Sequence, residues 1–197
     1  MTCTQFFSAA FLAGAIGLAS CGDDAVVEPT PTPTQVATTA KDIPGDTANT
    51  GHYTFYRLSD SSIVALADSA TTKWDIAFRG TSILLNSGSS GPGAAAGQVL
   101  TGVDFDTLSM APETGYNVDS PTNAALGKTW YSYNPANHLI SIVPGKIFVL
   151  KTADGKYAKL QLLGYYKGAP ASPKPEEPAR FFTFKYVIQN DGSRKLK

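Results

Sequence analysis

The 197-residue sequence has very few residues that could carry thiol, thioether or imidazole chemistry: two cysteines, two methionines and two histidines. Cys3 lies in an N-terminal segment that we expect to be removed, so Cys21 would be the only thiol of the mature chain. A single thiol excludes a disulfide framework and a thiolate metal site. The lipid attachment predicted below would also exclude a cysteine nucleophile.

The sequence also lacks the motifs of the common enzyme classes, including G-x-S-x-G, H-E-x-x-H and the phosphate-binding loop. The glycine-rich run from Ser87 to Gly93 has no lysine and is expected to be a flexible loop. Asp104 and Asp106 could hold a cation or act as a carboxylate pair, although paired aspartates on an edge strand more often only solvate it. Because no set of acid, base and nucleophile is visible, we expect that the protein is not an enzyme.

An excess of charge of either sign is missing as well. The 16 basic and 16 acidic residues cancel over the whole chain, and from Gly51 onward there are 15 basic and 11 acidic residues. A surplus this small gives no reason to expect a nucleic-acid partner.

No apolar run is long enough to span a membrane, which takes roughly 20 residues. The run from Phe6 to Ala19 is shorter and N-terminal, as in a secretory signal peptide, although no Lys or Arg precedes it. It ends in Leu18-Ala19-Ser20-Cys21, which resembles the lipobox of bacterial lipoproteins. We therefore expect residues 1–20 to be a signal peptide and Cys21 to carry the lipid anchor. The acidic residues Asp23 and Asp24 resemble a surface-export tag, which implies an outer-membrane lipoprotein at the cell surface.

Residues 21–50 would form the lipidated Cys21 and a disordered tether. This stretch is rich in Pro, Thr, Ala and Asp, and it contains Pro-Thr repeats at 29–34. Such a composition cannot bury enough apolar surface to offset its chain entropy.

Residues 51–197 are predicted to form a single all-β domain of antiparallel hairpins with little helix. Aromatic and β-branched residues occur in short runs separated by Gly, Pro, Asn or Asp. Alternation in 73–79 predicts that Trp74, Ile76 and Phe78 share one buried face, and Asp154-Gly155 predicts a tight hairpin. Two excursions from the sheet are expected, at 106–127 and at the proline-rich 167–178. The candidate strands cover residues 52–58, 62–67, 73–79, 82–86, 98–101, 128–133, 138–142, 146–151, 157–166 and 181–188.

The scarce soft ligands suggest a haem site as one hypothesis. After loss of Met1, Met110 is the only thioether, and it lies in the first excursion, whereas His138 opens an aromatic-flanked strand. Haem iron is commonly held by His, by Met or by one of each. A lone Met more often fills a gap in a core, and a lone His is more often a surface residue, so composition alone leaves both alternatives open. His52, beside the tether, is a third and weaker candidate.

Three passages carry a resemblance to a known family: KWDIAFRGT at 73–81 with the following ILLNSG, TWYSYN at 129–134 leading to Asn137-His138, and KTADGKYAKL at 151–160 with YYKG at 165–168. They resemble the HmuY-like haem-binding lipoproteins over about residues 52–190. The resemblance implies an all-β, right-hand-like fold that grips haem b between two finger-like hairpins. It also implies a haemophore that is displayed at or shed from the cell surface, takes haem from host haem proteins and delivers it to a TonB-dependent outer-membrane receptor.

The resemblance further implies that Met110 and His138 are the two axial ligands of the haem iron. A Met/His pair should raise the reduction potential relative to two histidines. The alternative is a surface module for glycan or protein that has lost the haem site, in which four exposed tyrosines would stack on sugars: Tyr53, Tyr56, Tyr165 and Tyr166.

Overall fold

The computed structural model describes residues 35–197, which form eleven β-strands and one 3-10 turn at Leu66–Asp68. All strand pairs are antiparallel. The predicted all-β class with antiparallel hairpins and little helix is thus confirmed. The strands are β1 Thr38–Pro44, β2 Thr54–Arg57, β3 Ser62–Val64, β4 Ile76–Arg79, β5 Ser82–Leu85, β6 Ala96–Thr101, β7 Tyr131–Asn134, β8 Leu139–Ile142, β9 Lys146–Lys151, β10 Tyr157–Tyr166 and β11 Ala179–Gln189.

The strands form three sheets, with the orders β1-β11-β10-β9-β6, β3-β2-β4-β5 and β7-β8. Each of the ten candidate strands corresponds to one of β2–β11, with ends shifted by a few residues. The Asp154-Gly155 turn joins β9 to β10 in a hairpin that closes at the pair Lys151–Tyr157. Between β6 and β7 lies the predicted long excursion, which contains only isolated β-bridges.

The first strand corrects the predicted extent of the tether. Residues 38–44 were expected to be disordered, but they pair with β11 along the edge of the five-stranded sheet. Ala40 and Ile43 are buried there, at 5% and 7% exposure. A bulge between them, with Asp42 at a φ of 54°, allows both side chains to reach the core. The folded domain therefore begins before Gly51, whereas the predicted signal peptide, Cys21 and residues 22–34 of the predicted tether lie outside the described residues.

The five-stranded sheet has a different apolar cluster on each face, because side chains alternate along its strands. Phe148 and Leu150 of β9 belong to the main cluster, which also takes in side chains of the four-stranded sheet. Ile147 and Val149 point the other way, into the second cluster, which side chains from residues 103–116 and Leu196 near the C-terminus complete.

Strand β4 departs from the predicted alternation, since Ala77 is buried as well as Ile76 and Phe78. Ile76 and Phe78 are fully buried in the main cluster, as expected. Trp74 is also fully buried, but it precedes the strand and packs with Phe55 and Ala77 in a third cluster. The strict alternation fails because β4 begins at Ile76, after the chain has turned. Within residues 35–197, no helix has the length and hydropathy that a membrane span requires.

Candidate ligand-binding site

The β7–β8 hairpin presents His138 at the end of its loop. Residues 135–138 connect the strand pair Asn134–Leu139. The side-chain oxygen of Asn134 accepts the Ala136 N–H at 2.9 Å, and that of Asn137 accepts the Leu139 N–H at 3.2 Å. His138 itself has a φ of 58°, in the left-handed region that residues other than glycine rarely adopt. Six other non-glycine residues of 35–197 also have a positive φ, so at His138 this conformation marks the end of the hairpin loop.

The imidazole of His138 contacts the phenol of Tyr133. The Tyr133 Oη and His138 Nδ1 atoms are 2.5 Å apart, and the ring centroids are 6.1 Å apart. His138 is exposed, and Tyr133 is 52% exposed. The contact uses Nδ1, so Nε2 is the ring nitrogen that this hydrogen bond leaves to a ligand. Sequence reasoning named Tyr133 as an aromatic residue of the TWYSYN passage beside the site, but it did not foresee the contact of this residue with His138.

One face of the hairpin is apolar. Tyr133 pairs with Ile140 and Tyr131 with Ile142, so these four side chains share a face. Ile140 and Ile142 are half-buried and line a crevice of about 180 Å³ between the hairpin and the 167–178 loop. The crevice is lined by Ile140, Ser141, Ile142, Leu163, Gly164, Tyr165, Tyr166, Pro170, Ala171 and Pro173.

The base of the hairpin is anchored to the main cluster through Trp130. Its indole is fully buried, and the ring centroids lie 4.6 Å from Tyr131, 5.7 Å from Phe182 and 5.9 Å from Tyr165. Nearer the loop, the Ile140 N–H donates to Tyr166 Oη at 2.9 Å. The hairpin base is therefore rigidly held, while its loop is free of such packing in the described part of the chain.

Met110 lies elsewhere, on the second cluster's side of the five-stranded sheet. It forms an isolated bridge with Lys195, and it is 45% exposed. On either side of it, the Ala111 N–H donates to the Arg194 carbonyl and the Leu196 N–H to the Ser109 carbonyl, both at 2.8 Å. The C-terminal residues thus hold the Met110 segment in place.

The structure does not bring Met110 and His138 together. Ala111, next to Met110, belongs to the second cluster, whereas Leu139 and Ile140, next to His138, pack on the main cluster. The five-stranded sheet separates these two clusters. The Met/His ligand pair stays a prediction, and it would require the Met110 segment to leave the C-terminal residues.

The other candidate residues from the sequence lie in or beside turns that local hydrogen bonds stabilise. His52 is exposed next to the turn that Asp46 stabilises by accepting hydrogen bonds from Thr50 and Gly51. The Asp104 carboxylate caps a turn by accepting the N–H groups of Asp106 and Thr107, so it does not lie on a strand as expected. Among residues 35–197, no group of three or more His, Cys, Asp or Glu residues could hold a metal ion.

The tyrosines proposed for sugar stacking are mostly buried, so that expectation was wrong for three of the four. Tyr56, Tyr165 and Tyr166 are 2–5% exposed because their strands direct them into the main cluster. Burial raises the pKa of Tyr165 to about 12. Only Tyr53 is partly exposed, and the Arg79 guanidinium lies 4.3 Å above its ring.

The glycine-rich loop after β5 is packed tightly against Asn86 and Trp74. The Asn86 amide donates to the Thr71 and Trp74 carbonyls, and its oxygen accepts the Gly93 N–H. A Cβ on Gly91 would lie 2.1 Å from the Asn86 side-chain oxygen. These contacts give the glycines of this loop a packing role.

Comparison with known proteins supports the family resemblance. The family model described as HmuY protein matches residues 49–186. No curated protein matches the chain. Three solved structures share its fold at low sequence identity.

The first solved structure is the HmuY analog TFO of Tannerella forsythia, with 15% identity, a TM-score of 0.54, and coverage of 79% of this chain and 95% of that one. The second, from Bacteroides vulgatus, is described as a HmuY-like heme binding protein, with 20% identity, a TM-score of 0.52, and coverage of 77% and 91%. The third, from Bacteroides fragilis, is described as a lipoprotein, with 12% identity, a TM-score of 0.52, and coverage of 77% and 90%. Because the family model spans more than half of the sequence and the fold agrees, the chain belongs to the HmuY family.

Proposed function

We propose that this protein is a haem-binding surface lipoprotein, a haemophore that takes haem b from host haem proteins and delivers it to a TonB-dependent outer-membrane receptor. The observation that carries the proposal is the exposed imidazole of His138 at the end of a hairpin whose neighbouring face is apolar. The likeness to a protein described as heme binding supports it.

The chemistry of the hairpin suits a haem. Imidazole nitrogen is the commonest protein ligand of haem iron, and a porphyrin needs an apolar surface that excludes water. His138 would supply the nitrogen, and Ile140 and Ile142 would contact the porphyrin ring. The protein would act as a binding protein, without turnover.

The crevice must widen to take a ligand of this size. Its volume of about 180 Å³ is below the roughly 300–1,000 Å³ of typical small-molecule pockets. The 167–178 loop forms one wall and the β7–β8 hairpin the other. Because the hairpin base is packed against the main cluster, a displacement of the loop would open the crevice. Release to a receptor would use the same movement.

Met110 remains our proposed second axial ligand, with His138 as the first. For both to bind one iron, the hydrogen bonds that Ser109 and Ala111 make with the C-terminal residues would have to break. The Met110→Ala substitution therefore tests directly whether Met110 binds the iron.

Haemin titration tests the function and the ligands together. The chain from Gly22 onward, which retains β1, should show a saturable Soret shift. His138→Ala should weaken binding by at least tenfold and change the bound spectrum, because an axial bond is lost. Met110→Ala should remove the spectral features of sulfur ligation.

The matched control is His52→Ala, which removes the other histidine and should leave the spectrum unchanged. A wild-type chain that shows no saturable shift would refute haem binding. An unchanged spectrum in both His138→Ala and Met110→Ala would refute the ligand assignment while leaving haem binding intact.

A further inference from the structure

We infer that Tyr133 is a positioning residue for His138 and lowers the reduction potential of the bound haem relative to the same site without its hydroxyl. The inference rests on the proposed function, because it assigns the electronic tuning of the same ligand. It starts from the contact between the Tyr133 hydroxyl and His138 Nδ1.

The hairpin holds the two rings in register. Tyr133 lies on β7 opposite Ile140, so the strand register fixes which face of the hairpin its side chain is on. His138 has a left-handed backbone at the end of the loop, and in that conformation its Nδ1 contacts the phenol oxygen. Tyr133 is 52% exposed, so burial in the core gives little reason for an aromatic ring here.

The contact determines which nitrogen meets the iron. When Nε2 binds iron, a neutral imidazole must carry its proton on Nδ1, and that N–H can donate to the phenol oxygen. Such a partner fixes the ring orientation and raises the basicity of the ligand. A more basic nitrogen stabilises the more highly charged ferric ion more than the ferrous ion.

The first test is Tyr133→Phe, which keeps the ring and removes the hydroxyl. Loss of the partner of a ligating histidine typically costs 10–100-fold in affinity. We expect the ferric haem affinity to fall by about tenfold and the ferrous affinity to change little. The reduction potential should then rise by about 59 mV, the value of a tenfold change for one electron. The control is Tyr157→Phe, a tyrosine that packs on the second cluster and should leave the potential unchanged.

The second test is a double-mutant cycle with His138→Met. Methionine keeps a ligand at this position but has no Nδ1 for Tyr133 to contact. Tyr133→Phe should therefore leave the potential unchanged in the His138→Met chain. A potential that does not move in the wild-type background, or that moves equally in both backgrounds, overturns the inference.

The outcomes separate this inference from the proposed function. If His138→Ala abolishes the haem spectrum while Tyr133→Phe leaves spectrum and potential unchanged, only the inference fails. If Tyr133→Phe abolishes iron ligation and His138→Ala retains it, the phenol oxygen is the ligand, and the positioning role is overturned. If the wild-type chain binds no haem, the function and the inference fall together.

Discussion

At the scale of single residues, Asp75 shows how the most recognisable passage of the sequence stabilises the fold. Its carboxylate is 5% exposed and accepts the Leu58 N–H at 2.8 Å and the Ala153 N–H at 2.9 Å. It therefore ties the end of β2 to the β9–β10 hairpin. The alternation predicted for residues 73–79 would turn Asp75 away from the buried face, so its burial was not foreseen.

Replacement of Asp75 should destabilise the domain. Asp75→Ala leaves two buried N–H groups without their acceptor, at about 1–3 kcal/mol each, so we expect the free energy of unfolding to fall by about 2–6 kcal/mol. Urea denaturation at constant pH measures this change. Asp60→Asn, at an exposed position, is the control and should change the free energy by less than about 0.5 kcal/mol.

The same carboxyl group should make stability depend on pH. Burial raises the pKa of Asp75. The folded state therefore keeps the proton to a higher pH than the unfolded state, whose carboxyl titrates near 4. The resulting stabilisation is complete below that pH and is lost as the pH rises through the raised pKa of the folded state. Asp75→Asn should lack this component, and an identical pH dependence in both proteins would contradict it.

At the scale of secondary structure elements, β1 shows that the domain extends beyond its obvious boundary. Removal of β1 would expose the backbone groups of β11 as a new sheet edge. It would also uncover the part of the main cluster that Ala40 and Ile43 cover. Exposed edges of this kind promote intermolecular pairing.

A single substitution tests the contribution of β1. Ile43→Ala should lower the free energy of unfolding by about 2 kcal/mol or more, because it leaves a cavity at a buried site. Val36→Ala is the matched control, since Val36 is 87% exposed just before the strand. Equal stability of the two variants in urea would show that β1 does not support the core.

At the scale of the whole molecule, the predicted lipid anchor determines where the domain acts. We expect the full-length chain, expressed in a Gram-negative host, to fractionate with membranes and to incorporate labelled fatty acid. Cys21→Ser should abolish both, because the thiol that would accept the lipid is absent. The control is Cys3→Ser, which should remain lipidated. A Cys21→Ser chain that stays in the membrane fraction would contradict the anchor.

Local sequence patterns were sufficient to predict ten of the strands, whereas β1 could be recognised only from its tertiary contacts. Ten strands were predictable because each has its own alternation or turn residues, as in the Asp154-Gly155 hairpin. Strand β1 was not, because its composition resembles a tether and its pairing depends on the free edge of β11. The same distinction applies to the residues of the candidate site. His138 was predictable from its rarity and its passage, whereas the role of Tyr133 was not.

The sequence by itself determined the all-β class, the positions of ten strands along the chain and the scarcity of possible iron ligands, because these follow from side-chain period, turn chemistry and composition. Only the tertiary structure decided which of those ligands are neighbours. It placed Tyr133 against His138 through a left-handed residue, and it separated Met110 from both by a sheet. Distances between residues far apart in the chain depend on how the sheets pack, and no local pattern encodes them.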